Sequence, residues 1–239
     1  MNGANKISRR ISTVFQVKFG SETLRQWMTL FAANIRENVT TLTELDATIG
    51  DGDHGVNILR GMNAVSEKLG TLALADLSGQ LRVISMTLLS SVGGASGPLY
   101  GAFFLQASHS TLHKQELGLA DLTAAMEAGY RGVVQLGKAA VGDKTMVDTM
   151  AAAVRSLRAS CIHYEPLSAA LKACKKAAQL AAEGTIPMVA KRGRASYIGG
   201  RSVGTQDPGA TSASLLFETL AAAVLSPSTS RPTPNPILL

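Results

Sequence analysis

The sequence predicts an all-α protein: one helical domain with its chemistry on loops at one end. Three observations carry this. Ala, Leu, Met and Gly dominate, while aromatic residues make up only 5%, a balance that favours helices over sandwiches. Eight segments repeat their apolar residues at helical spacing, and no segment alternates as a strand does. Four prolines, Pro98, Pro166, Pro187 and Pro208, fall at or near the ends of those segments, and none falls inside one.

The first segment, SETLRQWMTLFAANIRENV, lines up Leu24, Trp27, Met28, Phe31 and Ile35 on one stripe, with Ser21 as its expected N-cap. The others cover roughly 54–69, 76–91, 97–113, 119–139, 145–162, 166–184 and 209–225. In the last, Asp207 should cap the helix with Pro208 at its first position. Most connections are short. The two long ones, 40–53 and 185–208, are rich in Gly, Asp and Arg, and long connections in a compact helical domain are often functional.

The organisation reads as a basic arm (1–20), a body (21–225) and a Pro-rich tail (226–239) expected to be extended or disordered. The net charge of +6 resembles a nucleic-acid signal, but five of the basic residues lie in the arm and tail. The body keeps 18 basic residues against 17 acidic ones, too even a balance for a nucleic-acid surface. Cys161 and Cys174 lack metal-ligand spacing and read as reduced thiols in helices. No stretch reaches the roughly 20 apolar residues of a membrane span, and the expectation is a cytoplasmic protein without membrane or nucleic-acid partners.

The stretch LDATIGDGDHGVNILRGM, 45–62, poses the functional question. Gly50, Gly52 and Gly55 spell the dinucleotide fingerprint. That fingerprint needs a preceding buried strand, and Glu44 and Asp46 interrupt any such strand. Asp51 and Asp53 would also face an anionic pyrophosphate. An EF-hand fails too: counted from Asp51, Val56 stands where Gly is needed and Met62 where Glu is needed. A different hard-cation site fits better. Asp51 and Asp53 are two apart, and the glycines allow Asp46 to fold back towards them. Three carboxylates without cysteine suit Mg²⁺ shared with phosphates, although an acidic solvated turn would look similar.

Gly137 to Thr145 resembles a P-loop, but it follows a helix-like run and Asp143 breaks its register. It reads instead as a loop whose Thr145 caps the next helix. Gly93-Gly94-Ala95-Ser96 can form an anion-binding nest. RGRASYIGGRS adds Arg192, Arg194 and Arg201 on a glycine-rich loop. Together these features favour a phosphate-and-metal pocket between helix ends.

The motifs LDATIGDGDHGVNILRGM, MTLLSSVGGASGPLYGAFF, GDKTMVD, GRASYIGGRS and QDPGATS, in this order between Glu22 and Val224, resemble the nucleotide-binding L subunits of dihydroxyacetone kinase. The resemblance implies an eight-helix antiparallel barrel with ADP or ATP at one end. It implies that Asp46, Asp51 and Asp53 hold two Mg²⁺ ions. It places the nucleotide on His54, Gly55, Val56, Asn57, Ala95, Ser96, Gly137, Met146, Arg194, Asp207, Pro208 and Gly209, with Arg194 also serving catalysis. It implies a half-enzyme whose ketose is held by a separate K subunit, and it leaves self-association open. The wording IGDGDHG and GTQDPGA resembles the branch recharged by a phosphohistidine protein of the phosphotransferase system, of the M-subunit type. Free ATP as donor, a four-carbon ketose as acceptor, and a non-catalytic nucleotide sensor stay open as alternatives.

Overall fold

The computed structural model describes residues 18–72 and 76–226. Most of the basic arm and all of the tail beyond Ser226 lie outside the described residues. Among the described residues there are nine α-helices: α1 (Ser21–Glu37), α2 (Val39–Ile49), α3 (His54–Thr71), α4 (Leu77–Ser91), α5 (Ser96–Ser110), α6 (Leu119–Gly137), α7 (Met146–Ile162), α8 (Leu167–Glu183) and α9 (Pro208–Leu225). A 3-10 segment spans Arg194–Ser202, and two short strands, β1 (Phe19–Gly20) and β2 (Glu116–Leu117), pair antiparallel.

Eight helices close a ring. α1 packs on α3, each helix from α3 to α9 packs on the next, and α9 returns to α1. The expected eight-helix barrel is therefore present, and α2 is an addition that seals one end against α3, α9 and the 3-10 segment. The predicted loop 40–53 is mostly this helix. The reason is packing: Leu42, Asp46 and Ile49 are buried at helical spacing, which overrides the poor helix propensity of a segment rich in Thr, Val and Ile.

The α1 stripe is buried as predicted, and Trp27 anchors it. Its indole N–H donates to the Leu216 carbonyl of α9 at 2.9 Å, and its ring meets Phe19 and Phe104 at centroid distances of 6.0 and 5.8 Å. Phe19, placed in the arm by its sequence position, belongs to this core. Gly20, not Ser21, occupies the N-cap of α1. The capping expected further along is present. Thr145 and Asp148 form a capping box on α7, and Asp207 accepts from the Ala210 N–H at 2.7 Å with Pro208 opening α9. Both cysteines are free thiols, and burial pushes Cys174 up to about 12. α9 is long and apolar enough to cross a membrane by composition, but 61% of it is buried inside the fold.

The up-and-down order has one consequence for the site. α3, α5, α7 and α9 all begin at the same end, so four helix N-termini with their free amides converge there.

Candidate nucleotide and metal site

A cavity of about 170 Å³ lies at this end, walled by the starts of α3, α5, α7 and α9, the end of α2, and the chain around Arg192–Ala195. An adjoining space of about 270 Å³ shares Ala95, Leu99, Thr145, Met146, Arg192 and Gly193 with it, and its own lining, with Pro98, Val133 and Leu136, is apolar. One half is polar and the other greasy.

Asp46, Asp51 and Asp53 come together in the polar half. One carboxylate oxygen from each lies within 4.8 Å of the other two. Asp46 is buried and positioned by the chain itself. Its Oδ2 accepts the N–H of Asp53 at 2.8 Å and of His54 at 3.1 Å, which leaves Oδ1 turned away from those amides. A side chain at Gly50 would put its Cβ 2.1 Å from that Oδ1, so the glycine keeps a ligand-sized approach open. An all-oxygen group of this kind fits a hard divalent cation such as Mg²⁺.

At the start of α3 the first amide, that of His54, serves Asp46. α7 and α9 are capped by Thr145 and Asp207. α5 alone of the four has neither a side-chain cap nor an amide given to a carboxylate at its first residue. The turn before it holds Gly94 at φ 65°, with nothing within 4 Å of where a Cβ would stand. That left-handed turn stands in the cavity wall with Ala95 and Ser96, and a left-handed residue at a helix start is a feature of anion nests.

Arg194 pairs with Asp51, Nη2 to Oδ2, at 3.1 Å. A guanidinium has five donors, so most remain for an anion. Asp207, at the cavity wall, is pushed up to about 7 by burial, although the Ala210 amide and the buried Lys144 pull it down.

His54 is wedged between hydroxyls. Nε2 lies 2.9 Å from Ser212 Oγ and Nδ1 3.1 Å from Ser96 Oγ, and Ser212 is in turn 2.8 Å from the Tyr100 hydroxyl. Burial lowers the His54 pKa, with the Asp46 and Asp53 charges opposing. A buried neutral imidazole with both nitrogens occupied is a poor phosphate carrier and a good brace between α3, α5 and α9.

Among the residues named from sequence, Asp46, Asp51, Asp53, His54, Ala95, Ser96, Met146, Arg194, Asp207 and Pro208 line the polar cavity, and Gly137 lines the apolar one. Gly55, Val56, Asn57 and Gly209 line neither. Gly55 has a packing role: a Cβ there would stand 2.3 Å from the Val39 carbonyl of α2. Val56 is exposed, and Asn57 accepts from Arg60 Nη2 at 2.8 Å. Sequence reasoning did not name Leu99 or Pro98 as site residues, and it named Arg192 for its charge alone. Helical spacing placed the first two in a helix but gave no sign that they turn outward at its start.

The DAK2 domain family matches residues 48–222. The chain is 46% identical over 197 residues to the PEP-dependent dihydroxyacetone kinase, ADP-binding subunit DhaL of Escherichia coli K12, covering 82% of this chain and 94% of the relative. It is 39% identical over 199 residues to the PTS-dependent dihydroxyacetone kinase, ADP-binding subunit DhaL of Lactococcus lactis, covering 83% and 95%. Its fold superposes on the dihydroxyacetone kinase of C. freundii, solved in complex with AMP-PNP and Mg²⁺, with a TM-score of 0.68 at 27% identity. That match takes in 93% of this chain but only 38% of the larger one. Matched by the family over most of its body, and spanning almost the whole of its bacterial relatives, the chain belongs to the DAK2 domain family.

Proposed function

We propose that this chain is the ADP- and Mg²⁺-binding subunit of a dihydroxyacetone kinase, a cytoplasmic phosphotransferase that is incomplete without a ketose-holding K subunit. The observation that carries the reading is the cavity itself. Three carboxylates face the uncapped start of α5, and an apolar slot opens beside them. A nucleotide has the same division into anionic and planar apolar parts.

In this reading Asp46, Asp51 and Asp53 would hold the metal, with Asp46 fixed by the Asp53 and His54 amides. Bound Mg²⁺ would supply neutralisation of charge on the phosphoryl group in flight. The backbone at Gly94–Ser96 orients phosphate oxygens, and Arg194, paired with Asp51, adds a positive charge to the same cavity. Leu99, Pro98 and Met146 give the base a dry surface. His54 braces the helix starts and moves no proton. No general base is assigned, because the acceptor hydroxyl would lie in the partner.

The donor is proposed to be a phosphohistidine protein, supported by the PEP- and PTS-dependent relatives. The nucleotide then stays bound between cycles and is recharged in place. An ATP-using enzyme must instead release ADP at every turnover, faster than a typical rate of about 10 s⁻¹. One experiment separates the two. The protein is loaded with labelled ADP and Mg²⁺ and chased with unlabelled ADP. Retention of label over many minutes is expected, and loss within about a second makes free ATP the donor. If adding K subunit and donor gives no ketose phosphorylation, a nucleotide sensor replaces the kinase reading.

A further inference from the structure

The turn from Gly142 to Thr145 between α6 and α7 does more than start α7. Lys144 is wholly buried and its φ is 61°. A left-handed non-glycine residue persists only where its surroundings hold it there, and a buried ammonium is costly unless its donors are used. Lys144 uses them on two carbonyls, donating from Nζ to Thr185 O at 2.6 Å and to Thr205 O.

Those two residues are the feet of the 186–204 excursion, which carries Arg192 and Arg194 to the cavity. The feet are tied again by Gly204 N–H to Ile186 O at 2.8 Å and Asp207 N–H to Thr185 Oγ1 at 3.0 Å. Asp143 extends the grip up the excursion. Its carbonyl accepts from Lys191 N–H at 3.1 Å, and its carboxylate lies 3.9 Å from Lys191 Nζ and 3.7 Å from Arg192 Nε. The excursion's apolar anchorage is small, a cluster of Ile49, Ala190 and Ala195 apart from the main core. Two consecutive residues, Asp143 and Lys144, therefore supply polar contacts both to the feet and to the rise of the excursion.

We infer that Lys144 is a positioning residue for the nucleotide site: its ammonium closes the feet of the 186–204 excursion and so sets Arg194 over the phosphate side of the cavity. The inference rests on the nucleotide reading above. Lys144 touches no substrate in this account and acts through Arg194.

The test uses the full chain and two variants. Lys144→Met keeps the length and removes the donors. Lys144→Asn tolerates the left-handed backbone but is too short to span both carbonyls. Both are expected to melt cooperatively. Trypsin should cut after Arg192 or Arg194 about tenfold faster than in the wild type, with the helices still protected. Affinity for ADP with Mg²⁺ should fall about tenfold, the scale of one charged hydrogen bond. Adding Arg194→Ala to either variant should weaken binding no further, since both changes remove the same contact. Additive losses, an unchanged cleavage rate in the excursion, or global unfolding of both variants would each overturn the inference. A wild-type chain that binds no ADP with Mg²⁺ ends the nucleotide reading and this inference together, whereas wild-type binding with additive losses overturns this inference alone.

Discussion

Two segments bring charge to the cavity, and they are built in opposite ways. The acidic corner, Asp46 to Asp53, is made of helix: Asp46 sits inside α2, its carboxylate tied to the start of α3, and α2 lies so close to α3 that only Gly55 fits between them. The arginine excursion, 186–204, has no helix longer than its 3-10 segment and is held by polar contacts at its feet and along its rise, with one small apolar cluster. The spacing of the metal ligands is thus a property of helix packing, while the position of Arg194 is a property of a few polar contacts. Damage to the first should show in stability and metal binding together. Damage to the second should show in nucleotide binding and in local opening of the excursion, with the stability of the barrel kept.

The largest effect should come from Asp46→Asn. The amide oxygen can still take the two N–H groups, so the helical circular dichroism should persist. Removal of the best-fixed anionic ligand should lower Mg²⁺-dependent ADP affinity on the order of 100-fold, the scale of breaking a buried charge interaction. Calorimetric titration checks it, and an affinity within twofold of wild type would take Asp46 out of the site.

Gly55→Ala comes next and probes packing without touching a ligand atom. The added methyl meets a backbone carbonyl, which cannot rotate aside. Thermal melts should show a loss of about 1–3 kcal/mol, with metal affinity falling alongside. A normal melting temperature would mean that α2 moves freely on α3, and the contrast drawn above would collapse.

Arg194→Ala should leave stability unchanged, since the side chain is largely exposed. Nucleotide affinity should fall about tenfold, yet metal binding without nucleotide should hold or strengthen, because Asp51 loses a competing partner. Opposite signs in the two titrations are expected, and parallel losses would mean that Arg194 and the acidic corner hold the metal together.

The smallest effect concerns Asp207, where the excursion rejoins the barrel. Its folded pKa of about 7 stands above the ordinary 3.8, so the folded state holds a proton that the unfolded chain releases. That contribution is whole below about 3.8, declines as pH rises to about 7, and is level beyond it. Melted in chelator between pH 5 and pH 8, the wild type should lose on the order of 2 kcal/mol relative to Asp207→Asn, most of it below pH 7. A constant difference across that range would remove the buried-proton account.

The same contrast explains what was legible in the sequence. The barrel helices announced themselves through apolar period and proline placement, and their ends were read to within a few residues. The acid triad was legible because three carboxylates in eight residues of glycine-rich chain have few structural uses. α2 was not, because its Thr-rich composition speaks against helix and its buried stripe includes Asp46, which reads as polar surface. Lys144 was invisible for a similar reason: a lysine reads as solvent-facing, and its acceptors lie far along the chain. The His54 brace depends on Ser96 and Ser212, whose approach only the closed ring creates.

The alternation of helix direction also decides where the chain enters and leaves. α1 begins and α9 finishes at the end of the barrel opposite the cavity, where β1 pairs with β2. Lys18 and Ser226, the first and last described residues, therefore both stand at the blind end of the molecule. A linker attached at either of these two positions starts away from the mouth of the cavity, so the protein can be held on a surface by that end for the nucleotide-retention measurement.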